Sequence, residues 1–393
     1  MNMTRKPGQW RRLHSGIAAL LAGLTLSSCA PRPGVNSSDI QHTRVYYEEG
    51  RFAGWPANLG IWSWGDEILV GFVEADYEDD GGFHTYDQST ARDKFARSTD
   101  GGLTWNIEDA YEHGQTAWRY NNRLEEGAVE PTELTDPIDF THPELALTFL
   151  RQTNHIGPSH FYYSYDRGEL WRGPFKLPNL DTPGIATRTD YIVDGPRELT
   201  AFFTVGKSDE REGRVLGART TDGGLTWERL SYIGPEPDRF EIMPSSVRLS
   251  DSEILTVIRR REESGQDLLS AYLATDNGST WERLIDPVSD TGNGGSPPAL
   301  VKLDDGRLSL AYAVRSNEGS RLCVKYSSDE GRTWSEEMVL RDDGATSDAG
   351  YPRMVQRPDG KLVAVYYWNN AIEQEDNPWR YISATIFDPA DEN

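Results

Sequence analysis

The chain has 393 residues, with 40 Lys and Arg against 63 Asp and Glu, a net charge of −23. That balance excludes a nucleic-acid partner, whose phosphates need clustered basic side chains, and a polybasic membrane-surface protein. With 37% hydrophobic and 26% charged residues a folded core is feasible, and 37 Gly, 22 Pro, 12 Trp and 18 Tyr lean towards turn-rich β-structure.

At the N-terminus, Arg5, Lys6, Arg11 and Arg12 precede an apolar run over residues 17–26, too short to span a bilayer. The run ends in Leu26-Ser27-Ser28-Cys29, which resembles the bacterial lipobox. The resemblance implies a signal peptide over 1–28 and acylation of Cys29. The protein is then exported and lipid-anchored to a bacterial membrane, in the periplasm or at the cell surface. Residues 29–42 are rich in Pro, Ser and Asn and read as a flexible tether. The one other cysteine, Cys323, lies in an alternating apolar stretch and reads as a buried, inert thiol.

From residue 43 to 393 the chain is a repeat. Ser98-Thr99-Asp100-Gly101-Gly102-Leu103-Thr104-Trp105 recurs, with changes, around Asp166, Asp222, Asp276 and Asp329, at intervals of 66, 56, 54 and 53 residues. In each box Asp and Gly build a tight turn, and Trp is placed to pack between units. Two strand-like runs precede each box. In the fifth unit they are residues 298–303 and 308–312, joined at Asp304-Asp305-Gly306. A third strand enters the box and a fourth leaves it. Four antiparallel strands per roughly 55 residues make a propeller blade. A sixth unit opens at Tyr351 and stops after residues 382–386 without a fourth strand. Residues 43–47 can supply that strand from the other terminus and remove the open edge. The predicted fold is therefore all-β: a six-bladed β-propeller whose N-terminal strand closes the last blade.

These boxes resemble the Asp boxes, or BNR repeats, of the sialidase-like superfamily, over about residues 43–388. For a sialidase the resemblance implies three arginines on the substrate carboxylate, an acid/base carboxylate in the first blade, and a tyrosine nucleophile beside a glutamate. The chain departs from that pattern in two places. Gly54, in Ala53-Gly54-Trp55-Pro56, stands at the first arginine position, and Tyr366-Tyr367-Trp368 occupies the strand end where the glutamate belongs. The pattern therefore reads as a sialidase relative rather than a sialidase. Gly54-Trp55-Pro56-Ala57-Asn58, Arg188-Thr189-Asp190-Tyr191, Ile242-Met243-Pro244-Ser245 and Gly350-Tyr351-Pro352-Arg353-Met354 resemble a bacterial sialidase-like subgroup that includes enzymes acting on rhamnosyl-glucuronate linkages.

Candidate site residues follow from the places where a propeller reaches its central channel. Tyr351 opens blade 6 at the nucleophile position, and Glu241, which opens blade 4, is the candidate base for it. Asp87 lies in the long loop of blade 1 and is the acid/base candidate, with His84 beside it. Arg259 and Arg261 alternate on one strand and so share a face. With Arg315, the candidate third arginine, they suit an anionic group. Arg188 and Asp190 open blade 3 as further binding residues. Asn58 joins them, and Trp55 and Trp368 are candidates for stacking on sugar. The histidines lack zinc-site spacing and no phosphate-binding loop is present, so neither a metal nor a cofactor is expected. The expected function is an exo-acting glycoside hydrolase or polysaccharide lyase on an acidic oligosaccharide or polysaccharide. The alternative is a non-catalytic propeller that binds glycans or proteins.

Overall fold

The computed structural model describes residues 40–110, 112–114, 118–119, 123–124, 129–153, 155–370 and 379–389. The expected signal peptide, Cys29 and the expected tether up to residue 39 lie outside them. Six antiparallel sheets form the blades of a ring. Blade 3 is the plain case, with Tyr191–Val193 innermost, then Leu199–Gly206, Glu212–Thr220 and Glu228–Tyr232. Blade 4 (Phe240–Arg248, Ile254–Arg261, Asp267–Ala274, Glu282–Arg283) and blade 5 (Ala299–Lys302, Leu308–Val314, Ser320–Ser327, Met338–Gly344) repeat it. Blade 2 shows three strands, Ala146–Arg151, Ser159–Ser164 and Arg172–Leu177.

Blades 1 and 6 carry the departures that matter. In blade 1 the inner strand is split into Arg51–Gly54 and Ile61–Trp64, both paired with Glu67–Asp76, by a helical turn at Pro56–Leu59. In blade 6, Gly350–Gln356, Leu362–Trp368 and Tyr381–Phe387 are completed by Gln41–Tyr46, which pairs antiparallel with Tyr381–Phe387. The two ends of the propeller thus close one sheet and hide its edge. The closing strand begins at Gln41, two residues before the expected start.

The Asp boxes hold the ring together. Asp100 Oδ1 accepts the Thr104 N–H at 2.9 Å, and Oδ2 accepts the Thr104 hydroxyl at 2.6 Å. The same pair of bonds recurs at Asp222, Asp276 and Asp329. Each box then docks on the preceding blade. Trp171 stacks on Phe95 of blade 1 at 5.3 Å, Trp227 meets Phe149 and Phe161 of blade 2, and Trp281 meets Phe202 of blade 3. The contact is close enough to require glycine: at Gly168, where φ is +86°, a Cβ would come within 2.5 Å of Leu69 Cδ2. Cys323 is fully buried in blade 5, and burial, followed by the Glu337 charge, raises its thiol pKa. It has no thiolate character.

Blade 2 contains an acid-sensitive element. His160 is fully buried on Ser159–Ser164, and burial depresses its pKa to about 3. The unfolded chain takes up this proton near pH 6.5, whereas the folded chain does not. The folded state therefore loses stability as pH falls below about 6.5. By pH 4.5 the loss from this residue alone is about 2.5 kcal/mol. Denaturant melts of wild type and His160→Phe at pH 7.5 and 4.5 should show a smaller drop in the variant by about that amount. An equal drop would assign the acid sensitivity elsewhere.

Candidate active site

Three inner strands share one irregularity. Trp55, Met243 and Tyr351 each precede a proline, and each has positive φ, at 61°, 56° and 52°. Pairing slips between Ile242 and Pro244 in blade 4 and between Gly350 and Arg353 in blade 6. Left-handed backbone at a non-glycine residue costs on the order of 1–3 kcal/mol and gathers at functional sites. Here the kinks bring Trp55 and Tyr351 to a cleft of about 580 Å³ over the central channel. That volume lies within the about 300–1,000 Å³ usual for small-ligand sites. Arg353 of blade 6 donates to the carbonyls of Ala57, at 2.7 Å, and of Thr189. It thereby ties blades 1, 3 and 6 together across the channel.

Tyr351 is 9% exposed, and its hydroxyl accepts a hydrogen bond from Arg259 Nη1 at 2.9 Å. Burial alone would raise the phenol pKa. The charges of Arg259, Arg315 and Arg188, with the Arg259 hydrogen bond, outweigh burial and hold it below the ordinary tyrosine value. The phenolate is thus favoured by cations rather than prepared by a neighbouring carboxylate base. His84 reaches the same cleft from the long loop of blade 1, and its Nδ1 pairs with Asp348 Oδ1 at 2.7 Å. Asp348 is 2% exposed. It also accepts the Tyr367 hydroxyl at 2.6 Å, with Arg380 at 3.3 Å and Arg315 at 3.5 Å. Burial would raise its carboxyl pKa, but the His84 hydrogen bond and charge and the two arginines hold it low. A buried carboxylate that fixes one imidazole nitrogen leaves the other to face substrate, the arrangement of an oriented acid/base histidine. Trp55 packs edge-on against His84 and Tyr86, each at 5.0 Å, and forms the apolar wall.

Six candidates meet in this cleft: Tyr351, His84, Arg259, Arg188, Trp55 and Asn58. Arg188 ion-pairs with Glu212 at 2.6 Å. Asn58 is 6% exposed, and its buried Oδ1 has no hydrogen-bond partner among the described residues. A donor from a ligand would satisfy it.

The remaining six candidates stand elsewhere. Glu241 is fully buried within blade 4, where Oε1 accepts Arg260, Ser270 and the Tyr272 hydroxyl at 2.9–3.0 Å. It is not the base for Tyr351, because the kink at Met243 resets which side chains face the channel. Asp87 caps a turn at the root of its loop, accepting the Ser89 N–H at 2.8 Å, and does not line the cleft. Asp190 braces blade 3 to blade 4 by accepting the N–H and hydroxyl of Ser246. Burial pushes its carboxyl up to about 7 against the pull of Arg353. Arg261 does share a face with Arg259, since both guanidinium groups lie over Phe240, but it forms a bidentate pair with Asp267. Arg315 is 2% exposed and donates to the carbonyls of Ser347 and Gly295. Its guanidinium lies over the Tyr351 ring, 5.8 Å from the centroid, and acts on the phenol through its charge, but it does not line the cleft. Trp368 is fully buried, donates to Asp343 at 3.0 Å and cannot stack on sugar.

Sequence reasoning did not single out Asp348, Tyr86 or the cationic far wall. Besides Arg188 and Arg259, the cleft is lined by Arg151, Lys207, Arg211 and Arg239, against the carboxylates Asp209, Glu212 and Asp238. Six cations face three carboxylates in a chain whose net charge is −23. The recurring aromatic-Pro or Met-Pro pairs at 55–56, 243–244 and 351–352 were the usable signal for the kinks.

Comparisons with known proteins agree with this architecture. The BNR repeat-like domain matches residues 152–364, more than half of the chain. A sialidase from Paraclostridium sordellii is 23% identical over 325 residues, covering 73% of this chain and 76% of that protein. Among solved structures, a protein of unknown function from Dyadobacter fermentans superposes with a TM-score of 0.65 at 19% identity, covering 90% of this chain and all of the other. An α-L-arabinofuranosidase from Fusarium graminearum superposes with a TM-score of 0.53 at 14% identity, covering 86% and 96%. At these identities the superpositions establish the fold, and the fold alone does not carry function. From the domain match, the boxes and the six closed blades together, the chain belongs to the BNR repeat-like domain family and is a propeller of the sialidase-like superfamily.

Proposed function

We propose that the protein is a carbohydrate-active enzyme that cleaves an acidic glycan from its end, with Tyr351 and His84 moving protons. The observation that carries this reading is the cationic cleft in an acidic chain, with a phenol of depressed pKa at its base. Arg259 and Arg188 hold the carboxylate of the uronate whose β-carbon oxygen carries the end sugar to be released, and Trp55 shapes the wall against its ring. β-Elimination from a uronate fits best. The carboxylate is neutralised by guanidinium groups, Tyr351 as phenolate takes the proton next to it, and His84 protonates the leaving oxygen. The bond to the leaving oxygen breaks as a carbon–carbon double bond forms, so no water is consumed.

Hydrolysis is the second reading, favoured by the sialidase and arabinofuranosidase likenesses. Against it, Glu241 is spent in blade 4 and Asp209 has its carboxyl held low by the Arg211 N–H, despite slight desolvation, with help from Lys207. A general acid needs the opposite shift.

The test is a panel of acidic and neutral oligosaccharides incubated with the full chain, read for reducing ends and for ultraviolet absorbance of unsaturated uronate. Elimination gives both signals on acidic substrates only. Reducing ends without the absorbance assign hydrolysis. Binding without either signal leaves a glycan-capturing propeller and sinks the enzyme reading. We place the protein outside the cytoplasm, attached through Cys29, on the pattern of residues 5–29. Membrane fractionation of a Cys29→Ser chain checks that placement, since loss of the anchor should release it.

A further inference from the structure

The cleft has a second cationic wall, on the side of the ring opposite Tyr351. It is built on two loops: residues 207–211, between the second and third strands of blade 3, and residues 234–239, which lead into blade 4. Lys207 is 7% exposed. Its ammonium donates to the carbonyl of Asp238 at 3.3 Å and to that of Pro237 at 3.5 Å, and pairs with Asp209 at 3.3 Å. The hydroxyl of Ser208 donates to Glu236 at 2.6 Å, which zips the same loops together a second time. On this braced platform Arg211 and Arg239 are exposed and line the cleft. Neither guanidinium is in an ion pair or hydrogen bond with a described residue, although the charge of Arg211 is felt by Asp209. A rigid base under two uncommitted guanidinium groups is what fork-like recognition of a carboxylate or sulfate needs.

Blades 3 and 4 face blades 6 and 1 across a six-bladed ring. Arg259 and Arg188 are buried, and Arg211 and Arg239 stand exposed beside them, next in chain to Glu212, the partner of Arg188, and to Phe240, over which Arg259 lies, so a ligand whose first anionic group meets Arg259 and Arg188 presents its next unit to Arg211 and Arg239. We infer that Arg211 and Arg239 form a second anion subsite, and that the preferred substrate is at least a disaccharide whose second unit carries a carboxylate or a sulfate ester. This rests on the acidic-glycan reading above and extends it from one anionic group to two.

Calorimetric titration of the full chain distinguishes the possibilities. The probes are glucuronate, digalacturonate, and a uronate-containing disaccharide with and without one sulfate. In the wild type a second anion should tighten binding by about tenfold or more, the scale of one charged hydrogen bond. Gain with digalacturonate alone identifies a carboxylate as the second group, and gain with the sulfated disaccharide alone identifies a sulfate. In the Arg211→Ala/Arg239→Ala variant the ratio between doubly and singly charged ligands should collapse towards one. Both residues are exposed, so the variant should fold, and its melting temperature confirms this. A gain that survives in the variant, or no gain in the wild type, overturns the inference while the acidic-glycan reading stands. Failure of glucuronate to bind either protein sinks that reading and the inference with it.

Discussion

Replacing Tyr351 with phenylalanine is expected to lower turnover by at least about 10²-fold while leaving the fold in place, the low end for loss of an acid–base group. The substitution removes one oxygen and keeps the ring, so the edge-on contact with Tyr367 at 5.8 Å persists. Arg259 loses one acceptor but keeps the Gly294 carbonyl. The cost to stability should stay within about 1–3 kcal/mol, that of one buried polar group left unpaired. The pH profile gives an independent sign. Three arginines hold the phenol below its ordinary value of about 10. If the phenolate is the working form, kcat/KM rises with pH through that depressed value in the wild type. The Phe variant should lack that limb. Turnover within tenfold of wild type, with the limb retained, would remove Tyr351 from the chemistry.

Much of the fold was legible because each Asp box carries its own reason to exist. A carboxylate closes its own turn on the Thr four positions on, and one tryptophan needs a neighbour to cover it, so spacing alone implies blades. The closure by Gln41–Tyr46 was legible for a similar reason, since the sixth unit ran out one strand short. The site was harder. Tyr351, Arg259, Arg188 and Trp55 were reachable because strand ends and openings point to the channel, Asn58 because it follows Trp55 in the same motif, and His84 because it lies in the long loop of blade 1. Strand-end position does not say what a side chain meets there. Arg315 and Trp368 occupy the right ends and are consumed by neighbouring carbonyls and by Asp343. Alternation failed at Glu241 because the positive φ at Met243 breaks the period of two. Asp348 left no local trace, because its partner His84 is 264 positions away and meets it only once the ring has closed.

That pair yields the second large effect. Removing the imidazole in His84→Ala should lower turnover by about 10²–10⁴-fold, the range for a positioned acid or base. The side chain is about one-third exposed, so stability should change little. A vacant site beside Asp348 is also one that free imidazole can enter, and added imidazole should restore part of the lost rate. Asp348→Asn should behave differently. Its carboxylate balances Arg315 and Arg380 in a buried site. Taking that charge away strands two guanidinium groups and is expected to cost about 3–5 kcal/mol of stability. It also frees the His84 ring, so turnover falls while imidazole gives no rescue, because the native ring still fills the site. Rescue confined to His84→Ala assigns the proton transfer to His84 and the positioning to Asp348. If His84→Ala keeps near wild-type turnover, Asp348 is simply the counter-charge that holds blade 6 to its neighbours, and Tyr351 must work with another cleft group.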